Sequence, residues 1–246
     1  VDPLGDLETL DLELILSDVA TVDRQIEKVQ GQAKAHPREF AEQLNWLAGL
    51  RAHLNAGRPA AGYEPAHHDA WLADFNPLSA KPRLYVVNVA EDCLPAGGSA
   101  AGAIQARAAR AGTPCLVLCA ACEAELVTWP PDDAAAYRRE QGLSEPGLDR
   151  LITASYRLLG LITFFTITGG KEARAWTLRS GSTAYEAAGL IHSDIQRSFI
   201  RAEVAPVSTI LSAGGLTQAR VAGHLRLEGR EYVLQDGDVV HYRFNV

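Results

Sequence analysis

The chain has no methionine and only four cysteines, Cys93, Cys115, Cys119 and Cys122, among 246 residues. It also lacks any apolar run near the roughly 18 residues that span a bilayer, which excludes a helical membrane protein and predicts a soluble one. No secretory leader is legible, because Asp2, Asp6 and Glu8 make the start acidic. The thiols are too few for a disulfide framework, so the reading is a cytoplasmic protein with reduced, buried cysteines. Cys119 and Cys122 have the spacing of a zinc half-site or redox pair, but no second pair completes a metal site. Without a methionine, the start at Val1 predicts a processed or truncated chain.

Basic charge is also scarce. The net charge is −7. Residues 1–60 carry −4, residues 61–160 carry −4 and residues 161–246 carry +1. This excludes non-specific nucleic-acid binding by the whole chain, DNA included, and makes the last third the part least repelled by RNA.

A further absence concerns phosphates. No Gly-x-x-x-x-Gly-Lys-Ser/Thr segment occurs. The nearest approach, Gly169-Gly170-Lys171-Glu172, has Phe165 where the first Gly belongs and a Glu where Mg²⁺ needs a hydroxyl. It reads as a hairpin turn. His67-His68-Asp69 reads as an exposed polar stretch, since adjacent histidines point in different directions.

Three regions are predicted. In residues 1–60, Ile15, Val19, Val22, Ile26 and Val29 follow the four–three spacing of a coiled-coil seam. Asp2 or Asp6 caps this helix, with Pro3 near its start. After His36-Pro37, a second helix carries Phe40, Leu44, Leu47 and Leu54 and stops at Gly57 and Pro59. The pair predicts an antiparallel hairpin, and its single seam per helix favours a projecting arm. Residues 61–160 are a connector followed by an α/β segment. Leu84–Val87 and Cys115–Leu118 read as buried parallel strands joined by a helix anchored at Ile104. Residues 161–246 read as a small mixed sheet crossed by one helix over Ala184–His192. Within it, Asp236-Gly237 signals a hairpin between Glu231–Leu234 and Val239–Phe244.

Ligands of open α/β sheets bind beyond the carboxyl ends of the strands. Asn88-Val89-Ala90-Glu91 and Cys119-Ala120-Ala121-Cys122-Glu123 occupy those two ends. A carboxamide after a strand can offer a donor and an acceptor to a base edge, though an Asn there also serves as a turn residue. Small residues at the second strand end permit close backbone approach. Arg174, Arg179, Arg197 and Arg201 suggest a basic face or a solvated sheet surface. His192 and His241 read as structural.

Arg174-Ala175-Trp176-Thr177, Gly189-Leu190-Ile191-His192-Ser193-Asp194, Phe199–Val204, Gln235–Val240 and Phe244-Asn245-Val246 together resemble the C-terminal TGS domain of the YchF, or Obg-like, ATPase family. The resemblance covers essentially all of this chain and the C-terminal two thirds of a family member. It implies a coiled-coil arm at 1–60, the distal part of a Rossmann-like, GTPase-like P-loop NTPase domain at 61–160, and a β-grasp TGS domain at 161–246. Asn88-Val89-Ala90-Glu91 matches the family's NxxE variant, which implies adenine in place of guanine. On that resemblance Asn88 reads the adenine edge, Val89 adds backbone contacts, and Glu91 is either part of the site or structural. Cys119, Ala120 and Ala121 match the backbone motif that meets the base. ATP with Mg²⁺ is implied for the intact protein, with no tight cofactor, no resident metal and no catalytic residue in this chain alone. The implied partner is the ribosome or a related RNA–protein assembly, contacted through Arg174, Arg179 and Arg201. The alternative is a stand-alone TGS-containing interaction protein without a working nucleotide site.

Overall fold

The structure is a computed structural model that describes residues 2–63, 71–72, 75–168 and 172–245. His67-His68-Asp69 and Gly169-Gly170-Lys171, predicted as a turn, lie outside the described residues. The chain divides into two compact units, Val1–Leu148 and Asp149–Val246.

The first unit opens with α1 (Pro3–Ala33) and α2 (Pro37–Asn55). Asp2 caps α1 by accepting the Gly5 N–H at 3.1 Å, and proline occupies the first turn of both helices. The predicted seam is a core: Ile15, Val22 and Val29 are buried, with Val19 and Ile26 packed beside them. The core is wider than one stripe per helix. Trp46 and Leu50 join Leu47 and Leu54 on α2, and Ala60, Tyr63, Trp71, Leu72, Phe75 and Ala80 from the connector close over them. The connector is thus held by packing.

A buried carboxylate fixes that closure. Asp18 is 2% exposed and receives the backbone N–H groups of Leu78 and Ser79, each at 2.8 Å, and the Ser79 hydroxyl at 2.6 Å. Ser79 in turn accepts the Ala60 N–H at 2.9 Å. A buried charge persists only when its lone pairs are met in this way.

β1 (Tyr85–Asn88) and β2 (Cys115–Leu118) pair in parallel, connected by α3 (Gly98–Ala111). Gly97, at φ +90°, begins α3 where a Cβ would lie 2.4 Å from Ala101 Cβ, so only glycine fits. Asp11 of α1 binds Arg83 and, at 2.7 Å, Arg107 of α3, which ties α1 to this segment. α4 (Ala120–Leu126) and α5 (Pro131–Glu140) follow β2. Glu123 accepts the Gly147 N–H at 2.8 Å and pairs with Arg138 at 3.2 Å, holding α5 and the start of α6 (Gly147–Leu158).

The second unit contains β3 (Leu161–Thr168), β4 (Glu172–Arg179), α7 (Ala184–Ile191), α8 (Ser193–Arg197), β5 (Phe199–Pro206), α9 (Val207–Ser212), α10 (Leu216–Val221), β6 (Arg226–Glu228) and β7 (Asp238–Phe244). The sheet order is β4-β3-β7-β5-β6, with β3 and β7 parallel and the other pairs antiparallel. Thr183 and Glu186 form a reciprocal capping box at α7. One sheet face packs Phe164, Leu178, Ala202, Val204 and Val240 against α7.

Two expectations are corrected here. The opposite face is also covered: Ile210 and Ala219 of α9 and α10 pack on Ala205, Val239, Phe165 and Ile167. Asp236-Gly237 does not join a hairpin either. Residues 231–234 make one isolated bridge, Thr183 with Val233, while β7 pairs with β3 and β5. The turn residues are captured by other elements. Asp236 accepts the Thr163 N–H at 2.8 Å, and buried Asp238 accepts from the Gln235 N–H and the Tyr232 hydroxyl, each at 3.0 Å. With both edges of β7 taken by long strands, the preceding segment has no edge to pair with.

Candidate functional site

The parallel register places Asn88 beside Leu118, so the two strands end at the same level. The Val89 N–H donates to the Leu118 carbonyl at 2.9 Å, extending the ladder one step. Asn88 is exposed, and its Oδ1 accepts the Ala120 N–H at 2.9 Å. The carboxamide therefore bridges the two loops. Its NH₂ has no partner among the described residues and remains a free donor at the mouth of the site.

Cys119 is buried at the N-cap of α4, and its Sγ accepts the Cys122 N–H at 3.5 Å. Ala120 and Ala121 are exposed, leaving room for a flat ligand against backbone. Glu91 lies beyond Asn88 and accepts a hydrogen bond from the Tyr137 hydroxyl. Glu91, Cys122, Glu125, Leu126, Trp129 and Tyr137 line a cavity of about 210 Å³ beside this site. The rings of Trp129 and Tyr137 meet edge-on at 5.6 Å.

The local charge state is conservative. The hydrogen bond to the Cys119 thiol, with burial, pushes the Cys122 thiol up to about 11. It is therefore a neutral group at pH 7 and a poor nucleophile. The hydrogen bond to Glu91 raises the Tyr137 phenol as well. Among the described residues, no group of three His, Cys, Asp or Glu side chains is arranged to hold a metal ion.

The six residues predicted to meet a base, Asn88, Val89, Glu91, Cys119, Ala120 and Ala121, thus all lie at or just beyond the two strand ends. The arginines do not lie together. Arg174 pairs with Glu172 at 2.8 Å on the β4 face that carries Trp176 and Leu178. Arg179 lies at the far end of β4, opposite Leu161. Arg201 is on β5, separated from β4 by β3 and β7. Sequence reasoning missed Tyr137, whose link to Glu91 spans 46 residues and leaves no local signal.

These two units define a mixed α/β protein, and its fold has solved counterparts. It is similar to the Schizosaccharomyces pombe YchF GTPase structure, with a TM-score of 0.83 and 25% identity over 99% of this chain and 66% of that one. A GTP binding protein from Pyrococcus horikoshii shares the fold, with a TM-score of 0.61 and 18% identity over 99% of this chain and 72% of that one. The family model described as YchF-GTPase_C, a protein of unknown function (DUF933), matches residues 161–245. The ribosome-binding ATPase YchF of Bacillus subtilis is 43% identical over all of this chain and 68% of its own length. The protein of the same name from Haemophilus influenzae is 38% identical over the same shares. The chain belongs to the YchF family. It spans about two thirds of the length of these relatives.

Proposed function

We propose that this chain is the arm, distal nucleotide-domain and TGS portion of a ribosome-associated ATPase that reads adenine. The observation that carries the reading is the Asn88 carboxamide, hydrogen-bonded to the Ala120 N–H across two parallel strand ends, with its NH₂ free. In this reading residues 1–60 are a coiled-coil arm and residues 61–160 hold the base-reading half of a Rossmann-like P-loop NTPase domain. Residues 161–246 are a β-grasp TGS domain, and the setting is cytoplasmic. The relatives' names, ribosome-binding ATPase, favour this over a stand-alone interaction protein.

Asn88 donates its free N–H to a ring nitrogen of the base. Ala120 and Ala121 let backbone approach the base edge, and Cys119 holds the start of α4. Guanine needs an acceptor for both its imino and its amino hydrogen, and one of the two Glu91 oxygens, Oε1, already accepts from Tyr137. That arrangement favours adenine. ATP with Mg²⁺ would supply the phosphoanhydride and its charge neutralisation. The chain's own residues fit the base end, and the sequence has no phosphate-binding loop or Mg²⁺-binding hydroxyl for the other end. Arg174, Arg179 and Arg201 are the proposed contacts to the ribosome.

The test compares two proteins: this chain, and a polypeptide that adds the third present in its relatives. The longer one is expected to bind ATP more tightly than GTP, to turn over ATP with Mg²⁺ and to pellet with ribosomes. The 246-residue chain is expected to show no turnover. Equal or tighter GTP binding by the longer protein would refute the base reading.

A further inference from the structure

A cavity of about 680 Å³ opens in the first unit where α1, the turn after α2, the lead into β1 and the end of α3 converge. That volume falls in the range of about 300–1,000 Å³ in which proteins bury small molecules. The lining combines an apolar strip with a charged cluster. Leu12 and Ile15 of α1 supply the strip. Ile15 is buried, but Leu12 beside it is 54% exposed. A leucine left half in water at the edge of a cavity is surface that a ligand can cover.

The charged cluster has a sign. Arg83, Arg107 and Arg110 meet two carboxylates, Glu8 and Asp11, so the lining carries one surplus positive charge. Both carboxylates are engaged. Asp11 gives one oxygen to Arg83 and the other to Arg107 at 2.7 Å, and Glu8 pairs with Arg107 at 3.3 Å. Arg110 is exposed and makes no ion pair or hydrogen bond with any described residue. Arg83 gives Asp11 one of its five N–H donors. The hydroxyls of Tyr85 and Thr113 have no partner among the described residues either. The polar capacity left over is therefore donor capacity, which suits an anion. One surplus charge matches one carboxylate, and the planar fork of a guanidinium fits its two oxygens.

We propose that this cavity binds a small organic monoacid, with Arg110 taking the carboxylate and Leu12 and Ile15 covering a ring-sized apolar body. The site is separate from the strand ends. Tyr85 opens β1 and Asn88 closes it, about 10 Å further along the strand. A monoacid held here does not compete with a base, and the site does not depend on the adenine or ribosome readings.

The probe is 2-naphthoate, titrated into the 246-residue chain and followed by calorimetry and by amide NMR shifts. Saturable binding is expected, with a Kd of about 1 mM or tighter. 2-Naphthamide keeps the ring body without the charge, and is expected to bind about tenfold more weakly. Acetate keeps the charge without the body, and no saturation is expected. Arg110→Gln and Leu12→Gln change exposed side chains, so both variants should fold, and each should weaken naphthoate binding by about tenfold. Leu211→Gln, which changes an exposed leucine of the second unit, should bind as the wild type does. Shifts are expected at Leu12, Tyr85, Arg110 and Thr113. The site is overturned if naphthoate does not saturate, if the amide binds as tightly as the acid, or if either Arg110→Gln or Leu12→Gln binds like the wild type. Shifts confined to Ala120 and Ala121 would put the acid at the strand ends and overturn it as well.

Discussion

Tyr137 donates its phenolic proton to Glu91, joining α5 to the turn after β1. One oxygen of the carboxylate three residues after Asn88 is thereby occupied by a group of the protein itself. Tyr137→Phe frees it without changing the ring contact to Trp129. In the longer polypeptide this variant should shift the ATP-to-GTP affinity ratio toward GTP by about tenfold or more, since a hydrogen bond to a charged group is worth about 1.5–3 kcal/mol and about 1.4 kcal/mol is tenfold. Competitive titration with both nucleotides measures it. An unchanged ratio would show that Glu91 has no part in base choice.

Asp18 predicts a stability effect in the first unit. Asp18→Ala removes the acceptor of three hydrogen bonds and strands the N–H groups of Leu78 and Ser79. The expected loss is about 2–4 kcal/mol. Urea unfolding followed through Trp46 and Trp71 fluorescence would report it, with the signal of the second unit unaffected.

Glu203 predicts a pH dependence in the second unit. Burial pushes its carboxyl up, but the hydrogen bonds and charges of Arg220 and Arg243 outweigh burial, and the net direction is down. A depressed carboxylate contributes stability that is fully present above its unfolded value, about 4.3, and is lost as pH falls through its folded value. Thermal melts of the wild type should therefore drop below about pH 4.5. Glu203→Gln should be less stable at pH 7 and show a shallower acid slope. Parallel slopes in the two proteins would contradict the assignment.

Cys122 predicts slow thiol chemistry. With its thiol pushed up to about 11 by the Cys119 hydrogen bond and burial, alkylation at pH 8 should be far slower than for a free thiol. Mass spectrometry after timed iodoacetamide treatment at pH 8 and pH 10 tests this. Rapid labelling of Cys122 at pH 8 would be incompatible with the thiol pair.

The sequence was most legible where local spacing alone dictates burial. Ile15, Val22 and Val29 recur every seven residues, and all three are buried. The parallel pairing followed from two short apolar runs and a helix-length interval, but β1 lies one residue later than the predicted Leu84–Val87 and is half-exposed, not buried, with Val86 facing solvent. The positions of Asn88 and Ala120 followed from the strand ends, but their mutual hydrogen bond did not. Legibility failed where distant groups compete for a local signal. Asp236-Gly237 has the composition of a hairpin turn, yet Thr163 takes the Asp236 carboxylate from 73 residues away. Trp46 fell outside the predicted stripe because rings from the connector, Tyr63 and Trp71, meet it edge-on at 5.8 Å, whereas Leu50, three residues from Leu47 and four from Leu54, fits the stripe.

The grip of Asp18 on Ser79 also sets an order of events during synthesis. α1 and α2 are neighbours in sequence and can zip together early, since contacts between adjacent helices cost little loop closure. Asp18 faces inward from the moment they do. Its partners emerge 60 and 61 residues later. Until then the nascent hairpin holds an unanswered charge in its apolar seam and stays loosely zipped. The arrival of Leu78 and Ser79 acts as a latch, so the helices lock only once the polypeptide leading into β1 has been made.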